Sequence, residues 1–342
     1  MRIGVLTGGG DSSAINGALR AIVRRAGVGG HEVFGFLEGW RGVIENRGRV
    51  LQREDLRGSL HEGGTILGTS RTNPHKIEGG MDKVRATIAD RGIDAMITIG
   101  GDDTNGVARR LFEEGLIKAV GIPQTIDNDI PGTEFAIGYD STLNVVCESL
   151  DRLRTTARSH SRVIVVEIMG RDAGWLALLG GLAGGADEIL IPEEEFDLDD
   201  VCERIRARRA RGQLYSIIAV AEGAHPKALG GQVTAAGTVD AFGHARLGGI
   251  AEVLAKEIEA KTGLETRSTN LGHVQRGGPP SAFDRILGTL FGVKAVELLE
   301  QGVTGVMVVW QASELRAVPF AEALQKTRQV PDEFIRIAKL FR

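Results

Sequence analysis

The stretch Asp94-Ala95-Met96-Ile97-Thr98-Ile99-Gly100-Gly101-Asp102-Asp103-Thr104 decides the fold class. A short, mainly apolar run ends in two glycines, two adjacent acids and a hydroxyl. Val107, Ala108, Leu111 and Phe112 then recur at helical spacing until Gly115 stops the pattern. Strand, glycine or acidic turn, helix: this order predicts a parallel α/β sheet. It is repeated upstream, where Ile3 to Thr7 leads into Gly8-Gly9-Gly10-Asp11 and then Ala14, Ile15, Ala18, Leu19, Ile22 and Val23, with Ser12 or Ser13 expected to cap the helix. Downstream, Ala119 to Pro123 opens into Gln124-Thr125-Ile126-Asp127-Asn128-Asp129 before a long helix that turns Leu143, Val146, Cys147, Leu150, Leu153 and Ala157 inward. Val163 to Ile168 gives way to Met169-Gly170-Arg171-Asp172-Ala173-Gly174, and Ile217 to Val220 to Glu222-Gly223. Further helices are legible around Ile250 to Ile258 and Phe283 to Val293, a further strand at Val306 to Trp310, and an excursion or hairpin in Gly223 to Gly249. Polar residues thus gather at the carboxyl ends of strands, where open parallel sheets bind ligands.

At about 150 residues per domain, the 342-residue chain should hold two, with a break near Gly138 to Asp140. Glycine supplies 48 of the 342 residues, 14%, against a usual share of about 7%. With 42% hydrophobic and 25% charged residues and no collagen period, that excess excludes disorder and fibre and assigns the glycines local tasks. A net charge of −4 leaves no basic footprint for nucleic acid. No apolar run of about 18 residues is present, so a soluble, cytoplasmic protein without membrane contact is expected. Cys147 and Cys202 are too few for a disulfide framework or a zinc site.

Several constellations suit phosphate chemistry, and each has a structural alternative. Gly8 to Ser13 either cradles phosphate on backbone amides or is a tight turn. Asp102 and Asp103 suit Mg²⁺, which takes one or two carboxylates and draws its other ligands from phosphate and water; they also suit a helix cap. Thr125, Asp127 and Asp129 fall on one side of an extended segment, where one carboxylate can accept a proton from an attacking alcohol; an Asx-turn stack is the alternative. Arg71, Arg171 and Arg276 sit beside glycines and could fork onto phosphates, or form surface ion pairs. Arg204, Arg206, Arg208, Arg209 and Arg211 read as a solvated helix face, with an anion effector site as the alternative, and Glu193-Glu194-Glu195 as an acidic helix start. Trp175 and Trp310 read as core, and Trp40, between Gly39 and Gly42, as a candidate pocket wall.

Taken together, the first glycine loop, Gly63 to Pro74, Gly100 to Thr104, Pro123 to Asp129, Val166 to Trp175, Ala183 to Glu193 and Leu271 to Gly278 resemble the bacterial-type 6-phosphofructokinase family. The resemblance covers nearly the whole chain and is strongest to the actinobacterial branch that includes pyrophosphate-dependent members. It implies two doubly wound, Rossmann-like α/β domains with mostly parallel sheets and an active site in the cleft between them. Residues 1–139 with about 275–325 would bind the phosphoryl donor, and 140–274 with about 326–342 the sugar phosphate. By the same resemblance Asp127 would be the general base, Arg171 the stabiliser of the transferring charge, Thr125 their neighbour, and Asp102 the Mg²⁺ residue. Gly10, Arg71, Thr72, Gly101, Asp103, Thr104 and Gln124 would contact the donor. Thr125, Asp127, Asp129, Met169, Gly170, Arg171, Glu222, His273 and Arg276 would contact the sugar phosphate, while Arg162 and Arg267 would reach it across a subunit boundary in a homodimer or homotetramer.

The expected reaction moves a phosphoryl group from pyrophosphate to the 1-hydroxyl of fructose 6-phosphate, in glycolysis. The resemblance places glycine after the metal aspartate in typical ATP users and aspartate in pyrophosphate users; here it is Asp103, whose charge would repel an ATP α-phosphate. Gln124 stands where pyrophosphate users carry lysine and ATP users often glycine, and Ser12-Ser13-Ala14 replaces the family's usual proline-glycine pair. ATP as donor, another acceptor such as sedoheptulose 7-phosphate, and an idle phosphosugar-binding subunit are the alternatives. Arg211-Gly212-Gln213 lacks the basic pair of the family's effector site, so weak or no nucleotide allostery is expected.

Overall fold

The computed structural model describes residues 1–227 and 248–342, with the backbone of two strands between them. The chain lays down β1 (Arg2–Thr7), α1 (Ile15–Val28), β2 (Glu32–Phe36), α2 (Trp40–Ile44), β3 (Gly48–Val50), α3 (Gly80–Asp90), β4 (Ala95–Gly100), α4 (Asp102–Glu113) and β5 (Ala119–Pro123). The long α5 (Tyr139–His160) crosses to β6 (Val163–Ile168), α6 (Trp175–Ala183), β7 (Glu188–Leu190), α7 (Leu198–Ala210) and β8 (Ser216–Ala221). Next come β9 (Thr234–Val239), β10 (Ala245–Leu247), α8 (Ile250–Thr262), β11 (Thr266–Asn270), α9 (Ala282–Glu300), β12 (Val306–Gln311), β13 (Glu314–Pro319), α10 (Phe320–Ala323) and α11 (Asp332–Lys339). β9 and β10 pair antiparallel, the hairpin expected in Gly223 to Gly249; 228–233 and 240–244 lie outside the described residues.

Two sheets carry the α/β fold. The first has the order β13-β12-β5-β4-β1-β2-β3 and the second β11-β6-β8-β7. All neighbours are parallel except the outer pairs β12–β13 and β2–β3 of the first sheet. The inner strands β1, β4 and β5 of the first sheet are buried on both faces, as parallel strands covered by helices must be. Along β1 and β4, Ile3, Val5, Ile97 and Ile99 join one apolar cluster beneath α1 and α9. Leu6 and Met96 point the other way, to a second cluster that includes Val107 and Leu111 of α4. The second sheet has its own core, from Val165 and Val166 to Leu176, Ile218 and Leu254.

Strand order reverses between β1 and β4, because the chain proceeds from β1 to β2 on one side and returns through β4 on the other. The loops after β1 and β4 therefore flank a crevice at a topological switch point. In the second sheet the loops after β6 and β8 leave from neighbouring strand ends.

Several local expectations are corrected. Neither Ser12 nor Ser13 caps α1: Ser13 Oγ donates to the Gly277 carbonyl and Ser12 Oγ is buried without a partner. The α7 arginines are a solvated face only in part: Arg206 and Arg211 are exposed, whereas Arg204, Arg208 and Arg209 are partly buried. Arg204 forks onto Glu188 and Arg208 pairs with Asp187, at the start of the edge strand β7, while Arg206 and Arg209 donate to the Lys261, Ser161 and Leu214 carbonyls. Glu193 to Glu195 precede α7, which Asp197 caps; Glu193 instead accepts from the Gly174 and Val330 amides. Edge strand β13, with its mostly exposed side chains, carries no apolar signal that would have revealed it. Among the described residues no helix is long and apolar enough to cross a membrane.

Candidate active site

The loop after β1 and the turn after β4 lean on each other. Gly8 donates its amide to the Ile99 carbonyl, and a Cβ on Gly100 would come within 2.6 Å of Thr104 Cβ and 2.7 Å of the Gly8 carbonyl, so only glycine permits this approach. Asn105 supports the turn from behind: its amide donates to the Gly100 carbonyl at 2.7 Å and the Gly101 carbonyl at 3.1 Å, and its carbonyl accepts from Thr98 Oγ1 at 2.8 Å. Trp40 is buried and donates its indole N–H to the Thr104 carbonyl; it supports the floor and does not line the pocket. Asp102 and Asp103 are the first two residues of α4, after Gly101 as N-cap, where the helix dipole favours negative charge.

Thr125, Asp127 and Asp129 face one cavity while Ile126 and Asn128 are buried. The alternation expected of an extended segment is present, but a turn produces it. Asn128 has φ 52°, a left-handed conformation that its own side chain secures by donating to the Glu134 carbonyl and accepting from the Ala136 amide. The Asp127 amide donates to Thr125 Oγ1 at 3.1 Å. From the second sheet, the loop after β6 supplies Arg171 and the end of β8 supplies Glu222. Gly223, which follows Glu222, donates to the Gly170 carbonyl, and a Cβ there would collide with the Arg171 backbone.

These groups share one cleft. Gly9, Gly10, Arg71, Gly101, Asp102, Asp103, Thr104 and Gln124 line it on the side of the first sheet's strand ends. Thr125, Asp127 and Asp129 continue the wall to Arg171, Asp172, Glu222, Arg276 and Thr327. Arg276 donates to the Asp11 carbonyl and lies so close to Gly10 that a Cβ there would stand 2.5 Å from its Nη1. Gln124 is buried, donates to the Gly10 carbonyl at 3.1 Å and leaves its Oε1 unpartnered.

Other candidates lie off this chain's cleft. Thr72 is held by Ser70, and Met169 and Gly170 form the backbone beneath Arg171, the Met169 amide donating to Gln275. His273 is exposed in the same short helical turn as Gln275. Arg162 and Arg267 both pair with Glu265 at the edge of the second sheet. Gly9, Asp172 and Thr327 line the cleft without having been singled out; Gly9 and Asp172 lay inside loops already read as chemical, whereas nothing around Thr327 signalled a site.

The carboxyls raise one another's proton affinity. Burial pushes Asp127 above the ordinary carboxylate range, opposed by Arg276 and then Arg171, and its Oδ1 has no partner. Burial and then the charges of Asp127 and Asp102 lift Asp129 to about 8. Burial and then Asp127 lift Glu222 to about 7. Crowded carboxylates of this kind favour a cation. Among the described residues no group of three or more side chains converges as a self-sufficient metal site, and Asp102 already accepts from the Asp103 amide through Oδ1. That donor set fits Mg²⁺ held by few protein oxygens and completed by phosphate.

Arg71, Arg171 and Arg276 line the cleft together with the buried Asp127 carboxyl, an arrangement on an α/β fold that suits a phosphotransferase. The family model "Phosphofructokinase" matches residues 2–299, and the chain belongs to the phosphofructokinase family. It is 49% identical to the pyrophosphate–fructose 6-phosphate 1-phosphotransferase of Amycolatopsis methanolica, over 100% of this chain and 99% of that one. The enzyme of the same name from Streptomyces coelicolor is 49% identical over 96% of both chains. The ATP-dependent 6-phosphofructokinase of Corynebacterium efficiens is 45% identical over 97% of this chain and 96% of that one. Among solved structures, the Pichia pastoris phosphofructokinase superposes with a TM-score of 0.83 at 32% identity over 99% of this chain, which spans 36% of that subunit.

Proposed function

We propose that the protein transfers a phosphoryl group from pyrophosphate to the 1-hydroxyl of fructose 6-phosphate, reversibly, giving fructose 1,6-bisphosphate and phosphate. Asp127 accepts the hydroxyl proton as that oxygen bonds to phosphorus and the bond to the leaving phosphate breaks. Its raised proton affinity makes it a better acceptor than an exposed carboxylate. Arg171 meets the charge that spreads over the transferring group, and Arg71 with the Gly9 to Gly10 and Gly101 backbone grips the donor. Phosphoryl transfer needs such positioning and neutralisation more than covalent catalysis. Asp102 would hold Mg²⁺, which when bound offsets donor charge. Asp129, Glu222 and Arg276 orient the sugar phosphate, with Met169, Gly170 and His273 beside them. Arg162 and Arg267 serve the site of a neighbouring subunit, which makes the working enzyme a homo-oligomer.

Asp103 carries the choice of donor. With Asp102 it forms the wall shared by the cleft and an outer cavity lined by Asn73, His75, Gly106 and Arg110. A nucleotide longer than pyrophosphate would have to bring its α-phosphate past that carboxylate, an unfavourable like-charge encounter. The outer cavity also favours a second reading, an ATP-dependent enzyme, since it offers space for a nucleoside. Purified protein with Mg²⁺ and fructose 6-phosphate should turn over with pyrophosphate and far more slowly with ATP. Turnover with ATP alone would overturn the donor assignment, and turnover with neither would overturn the assignment to this acceptor.

A further inference from the structure

The segment Thr327-Arg328-Gln329-Val330, which follows both sheets in the chain, spends its polar groups on the two loops that carry Asp127 and Arg171. The Arg328 amide donates to the Asp129 carbonyl at 2.7 Å. Its Nη1 donates to the Asn128 carbonyl at 3.1 Å and the Glu134 carbonyl at 3.2 Å. The same guanidinium lies 4.1 Å from the ring centre of Trp175, whose indole N–H donates to the Arg328 carbonyl at 2.9 Å. Gln329 Nε2 reaches the Asp172 carbonyl at 2.8 Å, and the Val330 amide reaches Glu193, which also accepts from the Gly174 amide.

We propose that Arg328 is a positioning residue: it clamps the Thr125–Asp129 turn of the first sheet to the Arg171–Trp175 loop of the second, and so fixes where Asp127 stands relative to Arg171. Asn128 is where the turn is gripped: its own side chain fixes the turn within the first sheet, and Arg328 ties that turn to the second. The left-handed backbone of Asn128, which asparagine tolerates through such local bonds, sets the direction in which the chain leaves Asp127. A guanidinium that caps two carbonyls through Nη1 while lying over an indole restricts the turn in two directions at once; a lysine ammonium has no plane to lay on that ring. Thr327 brings the strap to the rim of the cleft itself. The kinetic consequence rests on the phosphotransfer reading above, whereas the coupling of the two loops rests on these contacts alone.

Arg328→Met tests both. Amide hydrogen exchange should accelerate together in peptides covering 125–136 and 170–176 while α1 and α9 keep wild-type protection. Loss of alignment between reacting groups costs on the order of 10- to 100-fold in kcat, with KM for fructose 6-phosphate within about threefold of wild type. Arg328→Lys should recover part of the loss. Trp175→Phe, which keeps a ring and deletes the indole donor, should loosen the same two peptides and decides the matter if Arg328→Met does not fold. Exchange that changes in neither loop or in only one overturns the clamp. Wild-type kcat in an Arg328→Met protein with both loops loosened overturns the positioning role. An inactive wild type refutes the phosphotransfer reading instead, and the exchange data still decide the coupling.

Discussion

Burial raises the proton affinity of Asp127 and leaves its Oδ1 without a partner, which opposes folding of the ionised form and suits the base role proposed for it. Removing a general base of this kind typically costs 10²–10⁴-fold, so Asp127→Ser should lower kcat by about that factor and leave fructose 6-phosphate binding nearly unchanged, as steady-state kinetics and calorimetry would register. Its neighbour Asp129 makes the stability cost measurable. In the unfolded chain Asp129 ionises near the ordinary 3.8, but in the folded protein it keeps its proton up to about 8. The folded state therefore binds more protons between those values, and stability contributed at low pH is lost as pH rises through that window. Asp129→Asn should raise the melting temperature of Mg²⁺-free protein more at pH 8 than at pH 5; an equal gain at both would contradict the shift. Gln124 already spends its amide on the Gly10 carbonyl. Gln124→Lys should add a charge facing the donor and raise kcat/KM for pyrophosphate, while a decrease would assign the glutamine to loop geometry.

At the scale of elements, the site depends on what lies behind its loops. The Gly100 to Thr104 turn is supported by Asn105 and Trp40, neither of which touches the cleft. Asn105→Ala would leave the Thr98 hydroxyl without a partner, a cost of about 1–3 kcal/mol for a buried unsatisfied group, and would take one bond each from the Gly100 and Gly101 carbonyls, which keep the Gln124 and Asn105 amides. Thermal unfolding should show that loss, accompanied by a higher KM for the donor than for the sugar phosphate. The turn itself was legible, because strand, glycine, acid and helix follow one another within twenty residues. Its support was not: an asparagine one position past Thr104 reads as any helix residue until Gly100 and Thr98 are seen beside it. The arginines of α7 teach the same lesson in reverse. Their spacing resembles a solvated face, yet Arg208 and Arg204 meet Asp187 and Glu188 at the start of β7.

For the whole molecule, Arg162 and Arg267 are the informative residues, since they belong to this chain but not to its own cleft. If they complete a neighbouring subunit's site, Arg267→Ala and Asp127→Ser proteins should each be nearly inactive alone, and mixing them under conditions that exchange subunits should restore part of the activity. No recovery, with exchange verified by light scattering and labelled subunits, would mean that each chain works alone.

The order of β1, β4, β5, β6, β8 and β12, with the turns that follow the first five, was determined by the sequence itself, because apolar runs, glycines and acids act on neighbours a few residues away. So was the set of polar loops expected to carry chemistry, from Gly8 to Asp11 through Asp127 to Arg276. Tertiary structure alone decided which of those side chains share a cleft, that the Thr125 to Asp129 segment turns at a left-handed Asn128, and that Arg328 stands against Asn128 and Trp175, 200 and 153 positions away. Such pairings follow from sheet order and helix packing, which bring distant segments together for reasons no local propensity encodes.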